Sequence, residues 1–220
     1  VVTDAEVVIR GERLRLLPER AAYWEGAATL LVADAHFGKA AAFRAAGVPV
    51  PGGTTADALA RLDGAVERTG ARRVVFLGDL FHARQGQVEA TLEALRAWRW
   101  RRPETGVLLV RGNHDRHAGD PPPELAIDCV DPPRVEGPFE LEHHPRAPVA
   151  GGYVLAGHLH PAVRLQGRGR QRERLPCFLF GSRGGVLPAF GAFTGAAEVT
   201  PGPEDRVFVV AGDAVVEVAG

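Results

Sequence analysis

An α/β fold is predicted by three features of this 220-residue sequence. Short apolar runs stop abruptly at polar clusters. Stretches of helical periodicity lie between those runs. The last third is strand-like and has no long helix.

Taken in order, residues 29–33 (TLLVA) run into Asp34, and 73–77 (RVVFL) into Gly78-Asp79. Residues 107–110 (VLLV) run into Arg111-Gly112-Asn113-His114, and 153–156 (YVLA) into Gly157-His158. Continuous β-branched or leucine-rich runs bounded by glycine are the pattern of buried strands. Residues 38–46 are alanine-rich and end at Gly47, which predicts a short helix. In 54–69, Leu59, Leu62 and Val66 recur at helical spacing, with Thr54 or Thr55 as the start cap and Gly70 as the end. In 87–100, Val88, Leu92, Leu95 and Trp98 share one face and Pro103 stops the helix. Alternation of strand and helix makes an α/β sheet. Beyond residue 150, the segments 162–165, 175–180, 206–210 and 213–218 read as mixed or antiparallel strands. Ala211-Gly212-Asp213 is a hairpin turn between the last two. The stretch 118–138 carries six prolines from Pro121 to Pro138 and reads as a surface loop, so residues 1–220 are expected to form one domain.

Composition narrows the class. Hydrophobic residues are 45% and charged residues 24%, as in soluble globular proteins. A chain of this size buries roughly 70–75% of its unfolded surface and needs no disulfides. A net charge of −1 excludes a strongly basic nucleic-acid module but not a local basic patch. Cys129 and Cys177 form no CxxC pair, which argues against a zinc ribbon and for two reduced thiols. No apolar run reaches the roughly 18 residues of a membrane span. The opening VVTDAEVVIR lacks the basic-then-apolar layout of a signal peptide. A cytoplasmic protein without membrane attachment is expected. Lys39 is the only lysine and methionine is absent, which fits a GC-rich genome and an initiator other than Val1.

The chemistry sits in five clusters: Asp34-Ala35-His36, Gly78-Asp79, Gly112-Asn113-His114-Asp115, His143-His144-Pro145 and Gly157-His158-Leu159-His160. In open α/β sheets, sites form in the crevice at the carboxyl ends of strands, so these clusters are expected to converge. In an extended segment, residues i and i+2 point the same way. Asp34 and His36 can therefore aim into one site, and so can His158 and His160. Taken singly, each Asp or Asn is an ordinary turn residue. Turn chemistry does not predict the histidines: all eight lie between His36 and His160, in or within three residues of a cluster, His82 among them. Carboxylate, amide and imidazole donors together suit Mn, Fe or Zn better than Ca or Mg. A carboxylate such as Asp79 can bridge two ions, and an unligated imidazole can protonate a leaving oxygen.

The ordered set DxH, GD, GNHD, H and GHxH, spanning residues 34–160, resembles the calcineurin-like metallophosphoesterases. That resemblance implies a sandwich of two mixed β-sheets flanked by α-helices and a two-metal phosphoesterase. It implies Asp34, His36 and His160 at the first metal, Asn113, His143 and His158 at the second, and Asp79 as the bridge. It gives His114 the role of stabilising the transition state or protonating the leaving group. His143 is preferred to His144 because it stands first after the strand 139–142. Where the family often reads GDxxD this sequence reads GDLFH, so His82 replaces an acidic residue. A narrower likeness, carried by DAHFGK, GDLFH and GHLHPA, is to the PdeM group of ligase-associated DNA damage response endonucleases. It implies phosphodiester hydrolysis in DNA and functional association with a DNA ligase, a helicase and an exonuclease; two divalent ions are expected, Mn²⁺ first with Fe or Zn as alternatives. A homo-oligomer is also compatible with it.

Lys39 and Arg44 are the basic residues placed for the scissile phosphate, with a plain helix-surface role as the alternative. Two arginine-rich stretches are candidates for backbone phosphates or for solvated surface. One is Arg96, Arg99, Arg101 and Arg102 with Trp98 and Trp100. The other is Arg164, Arg168, Arg170, Arg172 and Arg174 around Gly167 and Gly169, read as a mobile hairpin loop. The competing functions are hydrolysis of a small phosphodiester or phosphomonoester, such as a nucleotide, and a non-catalytic scaffold of the same fold.

Overall fold

The structure is a computed structural model that describes residues 2–166 and 172–218. Gly167, Arg168, Gly169 and Arg170, the middle of the expected arginine-rich hairpin loop, lie outside the described residues.

The first sheet has seven strands in sequence order. β1 (Ala5–Ile9), β2 (Glu12–Leu17), β3 (Ala21–Trp24) and β4 (Thr29–Val32) form an antiparallel meander. β5 (Arg73–Leu77), β6 (Gly106–Val110) and β7 (Asp128–Val130) then add in parallel. The crossovers carry α1 (Lys39–Ala45), α2 (Thr54–Thr69), α3 (Glu89–Arg101) and α4 (Asn113–Ala118).

The second sheet is mixed. It contains β8 (Arg134–Glu136), β9 (Phe139–Leu141), β10 (Tyr153–Ala156), β11 (Pro161–Gln166), β12 (Arg172–Phe180), β13 (Gly184–Val186) and β14 (Ala197–Glu198). Its order is β14-β11-β12-β13-β10-β9-β8. β15 (Arg206–Ala211) pairs with β12, and the hairpin to β16 (Ala214–Val218) turns at Gly212 and Asp213. The expected sandwich of two mixed sheets with flanking helices is the architecture observed.

The apolar runs are continuous because the first sheet is covered on both faces. Leu30, Val32, Val74, Phe76, Val107 and Leu109 face the helices. Leu31, Val75, Leu77, Leu108 and Val110 face the second sheet, where Phe139, Leu155, Phe178 and Phe208 meet them. α2 lays Leu59, Leu62 and Val66 on the helix side. It ends on Gly70, whose φ of 68° is the left-handed conformation that glycine adopts without strain. β4, β5 and β6 run parallel, as do β9 and β10, so their carboxyl ends lie at matching ends of the two sheets. A parallel bridge between Ala33 and Ala189 joins the sheets there.

Several expectations need correction. Residues 118–138 are not all loop: they contain β7 and β8. Val88 does not share the buried face of α3; it precedes the helix and is 41% exposed. Gly53 rather than Thr54 or Thr55 occupies the cap of α2, and the Thr55 hydroxyl accepts from the Gly38 amide at 3.1 Å. The arginines of α3 are engaged within the protein. Arg96 bonds Glu89 and Glu124, Arg99 bonds the Leu125 and Thr105 carbonyls, and Arg101 and Arg102 pair with Asp63. No helix among the described residues is long and apolar enough to cross a membrane. Both cysteines are unpaired.

Phe139 is fully buried between the sheets, and its ring meets Trp24 edge-on at 4.9 Å. Phe139→Ala is expected to cost about 3–5 kcal/mol. Trp100→Ala, at a residue 84% exposed, is expected to change stability by less than about 0.5 kcal/mol. Urea titration of both variants checks the contrast.

Candidate metal centre

Five loops meet where the carboxyl ends of β4, β5, β6, β9 and β10 converge. Asp34 and Asp79 lie at the centre, 0% and 2% exposed. Asp34 Oδ2 accepts the His158 amide at 2.8 Å, and its Oδ1 lies 3.4 Å from His160 Nε2. Asp79 Oδ1 accepts the His114 amide at 2.9 Å and lies 3.4 Å from His143 Nε2. Asp79 Oδ2 lies 3.8 Å from His36 Nε2. His143 Nε2 is 2.9 Å from Asn113 Oδ1 and 3.2 Å from His158 Nδ1.

The structure thus brings all eight of the expected metal-ligating and catalytic residues into one region. Their donor atoms fall into overlapping groups, each within 4.8 Å: Asp34, His36 and His160; Asp34, Asp79 and His143; His143, His144 and His158; His36, His82 and His114. Within these groups His143 is fully buried against both carboxylates, whereas His144 is exposed and only its ring reaches His158, at 4.1 Å. Two buried atoms, Asp34 Oδ1 and His36 Nδ1, have no hydrogen-bond partner. Buried carboxylate oxygens and imidazole nitrogens grouped this closely fit a divalent-cation site, because a cation is what would satisfy them together.

The backbone differs from the extended one assumed for the DxH and HxH spacings. Asp34, His36, Asp79, His158 and His160 all have positive φ, between 46° and 69°. Side chains two residues apart still share a region in the DxH loop, but His158 and His160 join different groups. Such conformations are strained for residues with a Cβ and persist only where surroundings enforce them. Here Asp34 O receives the Gly191 amide and Asp79 O the His36 amide, both at 2.9 Å.

The glycine in each block makes room for another block's donor. A Cβ at Gly78 would lie 2.2 Å from His143 Nδ1, one at Gly112 2.3 Å from Asp79 Oδ1, and one at Gly157 2.5 Å from Asp34 Oδ2. Asp115 had no individual role in the sequence reading. Buried at 1% exposure, its carboxylate accepts the Gly112, Asp79 and Leu80 amides at 2.8, 2.7 and 2.9 Å. It ties the loop after β5 to the loop after β6 and so positions Asp79 against Asn113 and His114. The signal was the D of GNHD.

Burial, then the charges of Lys39 and neighbouring imidazoles, lowers His36 to about 2. Burial likewise lowers His82 to about 4, with Lys39 and His114 adding. Burial raises Asp79 to about 6, against the opposing His114 amide. Burial alone would lower His160, but the adjacent Asp34 carboxylate outweighs it and holds the ring above its ordinary value.

His82, stacked on His114 at 5.1 Å and 26°, presents its carbonyl to His114 Nδ1 at 2.6 Å. Together with Asn113, His114 and His117 it lines an open cavity of about 600 Å³. Lys39 is half-buried and lies within the fields of Asp34 and Asp79, which oppose the lowering of its pKa by burial. Arg44 points elsewhere: its guanidinium donates to the Val50 and Pro51 carbonyls and lines a separate cavity between α1, α2 and α3.

Two mixed sheets with carboxylate, amide and imidazole donors gathered at their strand ends define a metallophosphoesterase. Residues 28–174 match the family model for calcineurin-like phosphoesterase, and the chain belongs to that family. It is a metal-dependent phosphoester hydrolase. Among solved structures it is similar to the Pseudomonas putida nuclease MPE, at 42% identity over 94% of this chain and 97% of that one, with a TM-score of 0.84. A second match is Yfce, a phosphoesterase from E. coli, at 15% identity over 87% of this chain and 98% of that one, with a TM-score of 0.42. No curated protein matches the chain.

Asp115→Asn replaces an oxygen that accepts an amide with an NH₂ that cannot. Divalent-cation affinity is expected to fall about 10–100-fold, as for other groups that orient ligands; titration calorimetry with Mn²⁺ reads it directly. The histidine shifts also set a pH dependence for the cation-free chain. Between about 2 and 6.5 the unfolded state binds a proton at His36 that the folded state refuses, so this contribution grows with pH and is lost as pH falls. His82 adds the same sign, and Asp79, raised to about 6, offsets part of it. In chelator, the denaturation midpoint is expected to drop from about pH 7 to about pH 5. A midpoint that rises on acidification contradicts the neutral, buried state of these imidazoles.

Proposed function

We propose that this chain hydrolyses phosphodiester bonds in DNA with two divalent cations. Asp34, His36 and His160 hold the first, Asn113, His143 and His158 the second, and Asp79 lies between them. The observation that carries this reading is the pair of buried carboxylates, each shared among several imidazoles, with donor atoms grouped within 4.8 Å of one another. The nitrogen-rich donor set favours Mn²⁺, with Fe or Zn as alternatives. When bound, the cation pair supplies positive charge at the phosphoryl oxygens and lowers the pKa of a water.

The chain's own residues do the rest. The His82 carbonyl can only accept, so His114 Nδ1 carries a proton and Nε2 is the atom left for chemistry. In its doubly protonated form, His114 gives the Nε2 proton to the leaving oxygen. Lys39 offers an ammonium to a non-bridging phosphoryl oxygen. Arg44 takes part only if it releases its two loop carbonyls. A DNA substrate is supported by the 42% identity to a nuclease and by the PdeM-like DAHFGK, GDLFH and GHLHPA blocks. Those blocks also favour a place in DNA repair beside a ligase, a helicase and an exonuclease. We read residues 1–220 as one domain of a cytoplasmic protein.

Incubation of the pure chain with Mn²⁺ and single-stranded, double-stranded or nicked DNA is expected to give cleavage that chelator abolishes. Absence of cleavage on all three removes the DNA reading. Bis-p-nitrophenyl phosphate should be preferred to p-nitrophenyl phosphate; the reverse preference points to the monoesterase alternative. His114→Ala is expected to lower turnover about 10²–10⁴-fold, and unchanged turnover would exclude its role as acid.

A further inference from the structure

His160 borders a second cavity, of about 150 Å³, whose lining includes Arg20, Arg174, Thr194 and Gly195. His160 joins the two spaces: its Nε2 lies 3.4 Å from Asp34 Oδ1, and its Nδ1 bonds the Gly195 carbonyl at 2.9 Å. At about 150 Å³ the cavity is large enough to admit a tetrahedral oxyanion.

Its charge is uncompensated. Among the described residues, no Asp or Glu lines it. Among the described residues, the half-buried Arg20 guanidinium has no hydrogen-bond acceptor and no carboxylate partner, and burial lowers its pKa. Arg174 donates only to the Ala196 carbonyl, at 3.2 Å. Arg61 stands close behind, stacked over Phe190 at 4.4 Å and donating to the Phe190 carbonyl, while its buried Nε has no partner. Burial and then the charge of Arg20 lower Arg61 to about 10, with Glu19 and Asp57 opposing.

Other partly buried arginines in this chain are paired with carboxylates or, like Arg99, satisfied by several backbone carbonyls. Arg73 pairs with Glu136 at 2.7 Å, Arg68 with Glu19 at 2.7 Å, and Arg102 with Asp63 at 2.6 Å. Leaving a desolvated guanidinium unpaired is unfavourable unless an anion completes it. Guanidinium forks match phosphate oxygens in geometry as well as charge.

We propose that this cavity is a phosphate subsite, receiving a non-scissile phosphate of a polynucleotide strand that crosses the metal centre. It rests on the phosphodiester reading above and adds that the substrate is a polymer gripped at a second phosphate. The subsite selects chains over small diesters, because only a chain reaches both places at once.

Arg20→Ala and Arg174→Ala test it, with Arg20→Lys as the charge-retaining control. Two quantities are read for each. The first is kcat/KM on a single-stranded oligonucleotide divided by kcat/KM on bis-p-nitrophenyl phosphate. It should fall at least about ten-fold in both alanine variants, through KM rather than kcat, and recover in part with lysine. The second is oligonucleotide affinity in chelator against salt. Loss of one phosphate contact should lower the slope of log affinity on log salt by about 0.7. Equal losses on both substrates, or an unchanged ratio and slope, overturn the subsite. Arg174 lies on an exposed strand edge, so failure of Arg20→Ala to fold leaves the Arg174 result decisive. A wild-type chain that hydrolyses the small diester but neither cleaves nor binds the oligonucleotide overturns the subsite and keeps the phosphodiester reading. A chain that hydrolyses neither substrate sinks that reading, while the salt slope still judges the subsite.

Discussion

Two carboxylates, Asp34 and Asp79, are withdrawn from water at the junction of two sheets, and the rest of the centre answers to that fact. An isolated buried carboxylate costs several kcal/mol. The protein offsets this with directed backbone dipoles: the His158 amide on Asp34 and the His114 amide on Asp79. These bonds join clusters more than a hundred residues apart in one case and about thirty-five in the other, so each carboxylate also fixes where another loop's donors stand. The tight loop conformations and the glycines without side-chain bulk are what allow so close an approach. Neutral His36 and His143 rings follow from the same burial, since a proton on either would lose more hydration than the carboxylates return, whereas at the less buried His160 the balance tips the other way.

Asp115 shows how far positioning extends beyond the groups that would meet a cation. Three amides converge on its carboxylate, and only that of Gly112, the cap of its own helix, is local. Two come from the loop after β5. The loops after β5 and β6 are therefore tied together, which keeps Asp79, Asn113 and His114 in register.

Legibility in the sequence followed burial. β4, β5 and β6 were readable because both faces are covered, which produces unbroken apolar runs. β1, β2 and β3 were not read, although ERLRLL alternates Leu14 and Leu16 inward with Arg13 and Arg15 outward. Their meander carries charge on one face, and no site residue drew attention to it. β7 and β8 were hidden by prolines that flank three-residue strands. The donors themselves were legible as clusters after strands. Their backbone was not: nothing in the letters Asp or His announces a left-handed conformation, and the i, i+2 argument reached a useful grouping for DxH through the wrong geometry. Arg20 was invisible for a related reason. It stands alone in sequence, and its meaning appears only when β12 and the loop before β14 bring Arg174 and Gly195 beside it.

The order of the donors along the chain has a consequence for biosynthesis. Asp34 emerges first from the ribosome, and the His158 amide that caps it comes 124 residues later. Until β10 has docked beside β9, no nascent intermediate holds both carboxylates with their full complement of nitrogen donors. On the proposed ligand set, a translation product ending before that point lacks His158 and His160 and so cannot complete either cation position.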